Sequence, residues 1–237
     1  MRTTFCVFAL VLSALAGSAQ DKPVAITDEA HHHLVLDNEY TRVFHVEVPS
    51  KQSTLMHQHD LDYVFVQIGP TDFTNDRLGA APAEVKLADG TVKFAKGGFA
   101  YKITILSDAP FENLTIEVKK PSTKSICGAV WAGMQPEKPD ACSFERVTGA
   151  VRDTTNVLTD TIEAHTYFAA NAPLGFTVHD ADTPRLLVAL TPLHCACGGP
   201  KALDMKPGDI AWLPKGTLAE VSKTSDPVPS FVSLSFK

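Results

Sequence analysis

Apolar and polar residues alternate in short runs along most of this chain. In the first half the runs cover residues 33–36, 41–48, 63–68, 92–94, 102–106 and 114–118, separated by Gly, Pro, Asp and Asn. Short alternating runs bounded by turn residues predict strands. The pattern resumes over 164–168, 185–190, 210–213, 219–222 and 231–236. No long stretch keeps the three-to-four residue spacing of an amphipathic helix, so an all-β chain is expected. Between the halves the texture changes, and Pro121, Pro136 and Pro139 interrupt any regular element there.

The first residues follow a different pattern. Arg2 precedes an apolar run over residues 5–16, and Gly17, Ser18 and Ala19 offer small residues for cleavage. This is the pattern of a secretory signal, with the mature chain starting near Gln20. The run is shorter than the roughly 18–20 apolar residues that span a bilayer. The expected location is therefore secreted or periplasmic, without membrane insertion of the mature protein. Cys6 lies on the wrong side of the apolar run to receive a lipid.

Composition narrows the partners. With 237 residues, 44% of them hydrophobic, the chain can bury a substantial core in one large or two ordinary domains. Its 27 acidic and 21 basic residues leave a net charge of −6, which provides no basic face for nucleic acid. Export implies an oxidising compartment, and Cys127, Cys142, Cys195 and Cys197 remain after cleavage, an even set that predicts at least one disulfide. Closing the loop from Cys127 to Cys142 is the entropically easiest first pairing.

The halves also repeat each other. The segment from Gly90 through Phe94 to Gly98 lies 118 residues before Gly208 through Trp212 to Gly216. The same offset aligns Ser107-Asp108 with Ser225-Asp226 and residues 114–119 with 232–237. Tandem duplication of one β-unit accounts for this.

Gly208, Pro214 and Gly216 resemble the second signature of the cupin superfamily, with Ala219 in the place of its metal-binding His and Lys223 in the place of its Asn. The first half carries the same signature as Gly90 and Gly98, with Lys96, Tyr101 and Ile105 in the Pro, His and Asn places. The first signature, a His-x-His pair followed by Glu, is matched by His57-Gln58-His59, with Tyr63 or Val64 in the Glu place. In the second half His179-Asp180-Ala181 keeps one member of the pair, ahead of Arg185. The resemblance implies two tandem double-stranded β-helix (jelly-roll) barrels: a signal peptide over 1–19, a first barrel over 20–120, a linker over 121–144 and a second barrel over 145–237. It also implies a divalent metal, Fe, Mn, Ni, Zn or Cu, held inside the first barrel and weak or absent in the second.

Residues two apart on a strand face one way, so His57 and His59 can present both imidazoles to one point. The carboxylate and third imidazole of a full site are missing from their places. Tyr63 and Tyr101 stand there instead, and a pocket of two His and two Tyr can hold ferric iron weakly or bind a small polar molecule without metal. Asp60 and Asp62 have the opposite parity and read as turn or surface residues. The tract His31-His32-His33 reads as incidental surface histidines, because neighbours on a strand alternate faces. His194, Cys195 and Cys197 read as disulfide-forming or as a soft-metal site. Asn113-Leu114-Thr115 fits a glycosylation sequon inside an expected strand. The favoured function is an exported protein that binds a small polar ligand in the first barrel. The alternative is a metal-dependent oxygenase, decarboxylase or isomerase, with Tyr101 positioning or protonating substrate. A third reading makes the second barrel a homodimer surface.

Overall fold

The computed structural model describes residues 22–120, 143–148, 151–158, 162–169, 176–178, 182–224 and 229–237. The amino-terminal segment, Cys127, Cys142, His179 and nearly all of the expected linker lie outside the described residues.

Ten strands build the first half as two sheets. One has the order β2 (His32–Asp37), β3 (Thr41–Val48), β10 (Phe111–Val118), β5 (Tyr63–Ile68), β8 (Val92–Ala95). The other runs β1 (Val24–Ala25), β4 (His57–His59), β9 (Phe99–Ile105), β6 (Thr71–Arg77), β7 (Ala83–Leu87). The second half repeats this plan. Its larger sheet is β11 (Ser143–Thr148), β12 (Val151–Val157), β13 (Ile162–Ala169), β20 (Ser230–Phe236), β15 (Arg185–Ala189), β18 (Ile210–Leu213). Its smaller sheet is β14 (Phe176–Val178), β19 (Ala219–Lys223), β16 (Leu193–Ala196), β17 (Leu203–Met205). A three-residue 3-10 turn, Ile26–Asp28, is the one helical element among the described residues. The architecture is all-β, with two tandem jelly rolls.

All six residues of β5 and all five of β15 are buried, which a one-sided sheet would not produce. Alternate residues serve different cores. Tyr63 and Phe65 of β5 enter the first barrel's interior with Phe44, Phe73, Ile105 and Phe111. Val64, Val66 and Ile68 point the other way, into a core shared with Leu186, Val188, Val232, Leu234 and Phe236 of the second half. Leu187 and Ala189 of β15 fill the second barrel with Leu193, Leu213, Val221 and Phe231. The two larger sheets thus pack face to face, which is why their central strands read as continuous apolar runs.

The repeated glycines lie at this seam. Gly90 and Gly208 adopt φ of +71° and +85°, where side chains are strained. A Cβ at Gly90 would lie 2.9 Å from Leu190 Cδ1, and one at Gly208 would lie 2.6 Å from Glu112 Oε1. Each barrel presents its glycine turn to the other.

The runs over 41–48, 63–68 and 210–213 match their strands, while β6 and β7 are additional. On β6 the inward residues are Thr71, Phe73 and Asn75, so only one of three carries an apolar signal. Strand β11 begins two residues inside the expected linker. Asn113 is buried on the central strand β10, and its Oδ1 accepts the Thr115 hydroxyl at 3.2 Å, so the sequon is not available in the folded chain.

Leu186 is fully buried in the shared core. Leu186→Ala should cost about 2–5 kcal/mol and destabilise both barrels in one transition. Chemical denaturation followed by Tyr and Trp fluorescence checks this, and separate unfolding of the two halves would contradict a shared core.

Candidate metal centre

Strand β4 is only three residues long, pinned by parallel pairing of Val24 with His57 and by antiparallel pairing of β4 with β9. The pleat sends His57 and His59 inward and Gln58 outward. Both imidazoles are almost completely buried, with ring centroids 5.3 Å apart. Tyr101 pairs directly opposite His57 and shares its face. Tyr63 stacks on His59 at 4.3 Å, while Val64 faces the shared core, which resolves the Glu place in favour of Tyr63.

A third imidazole comes from the other sheet. His32, at the start of β2, places its ring 4.7 Å from that of His57 and 6.0 Å from that of His59. One ring nitrogen from each of His32, His57 and His59 lies within 4.8 Å of the others. The expectation of three incidental surface histidines is corrected here. Alternation does separate the tract, leaving His33 exposed, but it turns His32 inward onto the pair on β4. The tract does not converge on itself, and the convergence is between strands. The residues missed in sequence were His32, Glu29 and Glu117, and the inward parity of one tract histidine was the available signal.

Glu29 holds this arrangement. Its fully buried carboxylate accepts the His32 ring N–H at 2.6 Å, the His31 ring N–H at 3.0 Å, and the backbone N–H groups of His31 at 2.8 Å and Leu55 at 3.2 Å. Burial alone would push the Glu29 carboxyl up, but the hydrogen bonds and charge interaction with His32 and His31 outweigh it and hold the carboxyl well below its usual range. His57 Nδ1 meets the Leu55 carbonyl at 2.9 Å, so that nitrogen must be the donor and Nε2 carries the lone pair. His57 Nε2 has no hydrogen-bond partner in the protein. Anchoring one imidazole nitrogen to aim the other is the arrangement that orients histidine ligands.

His59 is held differently. The Tyr101 hydroxyl lies 3.1 Å from its Nε2, and the Tyr63 hydroxyl donates to that of Tyr101 at 3.5 Å. His59 Nδ1 faces Glu117 Oε1 at 3.8 Å, beyond hydrogen-bonding range. Glu117 is fully buried and ion-paired with Arg42 at 2.6 Å. Burial raises the Glu117 carboxyl, and Arg42 offsets this only in part. Burial also raises the Tyr101 phenol. A small pocket, with room for about one water molecule, adjoins the centre, lined by His32, His57 and Tyr101, by apolar Val46, Ile103 and Phe111, and by Asn113 and Thr115.

The second barrel differs at each equivalent place. Ala219 stands where Tyr101 does, and Arg185 where Tyr63 does, with Arg185 Nη2 donating to the Thr217 carbonyl at 2.7 Å. Strand register puts Val178 opposite Ala219, as His57 lies opposite Tyr101. The counterpart of His57 is therefore Val178, one residue before His179, which corrects the alignment of the two His-x-His regions. His194 forms an exposed ion pair with Asp204 at 2.7 Å. Cys195, on β16, and Cys197, just past its end, lie side by side, with Cα atoms 5.3 Å apart. Asp62 accepts from Lys96 and from the Gly97 backbone near the surface, and Asp60 is exposed, as their parity implied.

The sequence matches no family model and no curated protein. Among solved structures it is similar to AerE from Microcystis aeruginosa, at 10% identity and a TM-score of 0.65, over 92% of this chain and 97% of that one. It is similar to Streptomyces albus HEPD with 2-hydroxyethylphosphonate and Fe(II) bound, at 10% identity and a TM-score of 0.60, over 86% of this chain and 70% of that one. An oxalate decarboxylase gives 10% identity and a TM-score of 0.56, over 93% of this chain and 78% of that one. At this identity the likeness is one of fold.

Burial, then repulsion from His32, lowers His57 from 6.5 to about 4 despite its bond to Leu55, and burial lowers His59 as well. A depressed histidine binds its proton more tightly in the unfolded chain. Stability of the metal-free protein should therefore fall as pH drops from 6.5 towards 4, with His57 alone contributing about 3 kcal/mol. Urea midpoints at about pH 7 and about pH 4.5 should separate less in His57→Phe than in wild type. An unchanged separation would count against this assignment.

Proposed function

Because this chain is a two-barrel protein of the cupin fold, we propose that its first barrel holds one divalent transition metal on His32, His57 and His59 and acts on a small molecule in the adjoining pocket. The observation that carries this reading is the meeting of three buried imidazoles, two of them anchored through Nδ1 by Glu29 and the Leu55 carbonyl. His32 supplies, from outside the signatures, the third imidazole that the sequence motifs lack. Three imidazoles suit Fe, Cu, Ni or Zn better than Mg or Ca. Such a metal supplies Lewis acidity that polarises a substrate oxygen.

The chain's own groups narrow the ligand. Neither Lys nor Arg lines the pocket, whose polar wall is Asn113 and Thr115 and whose apolar wall is Val46, Ile103 and Phe111. The lining suits a small molecule with at most one acidic group that reaches the centre with one end, the pocket itself having room for about one water molecule. Glu29 fixes His32, and Leu55 fixes His57. A metal-free binding pocket is the second reading, supported by the Tyr101 hydroxyl that occupies His59 Nε2.

Residues 1–19 are proposed to act as an export signal, and Cys195–Cys197 as a disulfide in the exported protein. Intact mass before and after reduction, with thiol titration under denaturing conditions, should show loss of the leader and at least one protected pair.

Wild type should retain about one metal ion per chain after dialysis, as a single closed ligand set implies. Replacing His57 and His59 together by Ala, or His32 by Ala, should abolish retention. Glu29→Gln should weaken it by about 10–100-fold, and His179→Ala should leave it unchanged. Elemental analysis with circular dichroism as a folding control decides between the readings. Equal retention by the folded His57/His59 double variant would remove the metal centre and leave the binding pocket.

A further inference from the structure

We infer that Tyr101 is the fourth protein ligand of this centre, giving it three imidazoles and one phenolate and a preference for ferric iron. The inference rests on the metal reading above and extends it to the oxidation state. Tyr101 lies opposite His57 in the β4–β9 pairing, and its hydroxyl is 3.1 Å from His59 Nε2. Two donors on one metal, each bonded at about 2.0–2.2 Å, stand about 3.0–3.4 Å apart. The spacing is thus that of neighbouring ligands as well as that of a hydrogen bond.

Charge points the same way. A ferric ion on three neutral imidazoles would leave three positive charges in a buried site, which is costly without a nearby anion. Glu29 is one shell removed, held by His31, His32 and the Leu55 backbone. Glu117 is ion-paired with Arg42 through Oε2, and its Oε1 faces Nδ1 of His59, not the Nε2 beside which Tyr101 stands. Among the residues lining the pocket, Tyr101 is the one whose oxygen stands directly beside His59 Nε2. The Tyr63 hydroxyl already donates to the Tyr101 oxygen and would stabilise the phenolate.

The step balances simply. Ferrous iron bound by the histidines loses one electron to added ferricyanide, which becomes ferrocyanide. The Tyr101 O–H bond breaks, an iron–oxygen bond forms, and the proton leaves to solvent through the pocket that Tyr101 lines. His59 Nε2 exchanges its hydrogen bond to Tyr101 for the metal.

The test loads full-length mature protein with Fe(II) without oxygen, measures bound iron, then adds one equivalent of ferricyanide. Wild type should turn coloured through a phenolate-to-Fe(III) charge-transfer band, with tyrosinate vibrations enhanced in resonance Raman spectra. Tyr101→Phe should retain ferrous iron and lose the band, whereas Tyr63→Phe should keep it. Bound ferric iron without the band in wild type, or a band that survives in Tyr101→Phe, overturns the ligand assignment alone. Wild type that binds no iron overturns both the assignment and the metal reading beneath it.

Discussion

Burial of the central strands on both faces is the constraint on which the molecule depends. Each larger sheet gives one face to its own barrel and the other to the seam, where Val64, Val66, Leu114 and Ile116 meet Leu186, Val188, Val232 and Leu234. Glu117, Tyr63, Asn113 and Thr115 lie on the same strands, β5 and β10, with opposite parity. Their backbone cannot shift without opening the seam. An interior this polar would be hard to support in an isolated barrel, and the apolar contact made behind it offsets that cost.

Within that frame the site is organised by desolvation. Buried imidazoles favour their neutral form, which is the form that offers a lone pair to a metal. Buried carboxylates must be satisfied, and Glu29 is satisfied by the groups that aim His32 and fix Leu55, the residue whose carbonyl in turn orients His57. One carboxylate therefore ties the 3-10 turn, the start of β2 and the approach to β4 together. The amino-terminal strands are part of the centre, although they precede both signatures.

The architecture was legible because duplication and two-sided burial leave strong marks: repeated glycine turns and continuous apolar strands such as 63–68 and 185–190. Strand β6 was not, since Thr71 and Asn75 at inward positions carry no hydrophobic period, although β7 does alternate Ala83, Val85 and Leu87 with Glu84 and Lys86. His57, His59, Tyr63 and Tyr101 were legible as one cluster because two-residue spacing and signature register depend only on local geometry. His32 and Glu29 were not, because their relation to β4 is set by how two sheets close on each other. The slip of one residue between His179 and the true counterpart of His57 has a similar origin. A short degenerate motif fixes a register less firmly than the pairing of Val178 with Ala219 does.

The two barrels fill equivalent interior positions differently. In the second, Ala219, Val221, Leu187 and Leu213 pack as ordinary core around the place where the first barrel has Tyr101 and its histidines. Replacing buried polar groups by apolar ones of suitable size is commonly neutral or stabilising, and the second barrel has Ala219 at the place of Tyr101 while burying Arg185 at the place of Tyr63. The first barrel keeps three buried histidines, two tyrosines and two carboxylates in one interior, with His57 Nε2, His59 Nδ1 and Glu117 Oε1 lacking hydrogen-bond partners within the protein. Unsatisfied buried polar atoms each cost about 1–3 kcal/mol, and in the first barrel three of them gather on and beside one pair of imidazoles, which is the cost that the proposed ligand would offset.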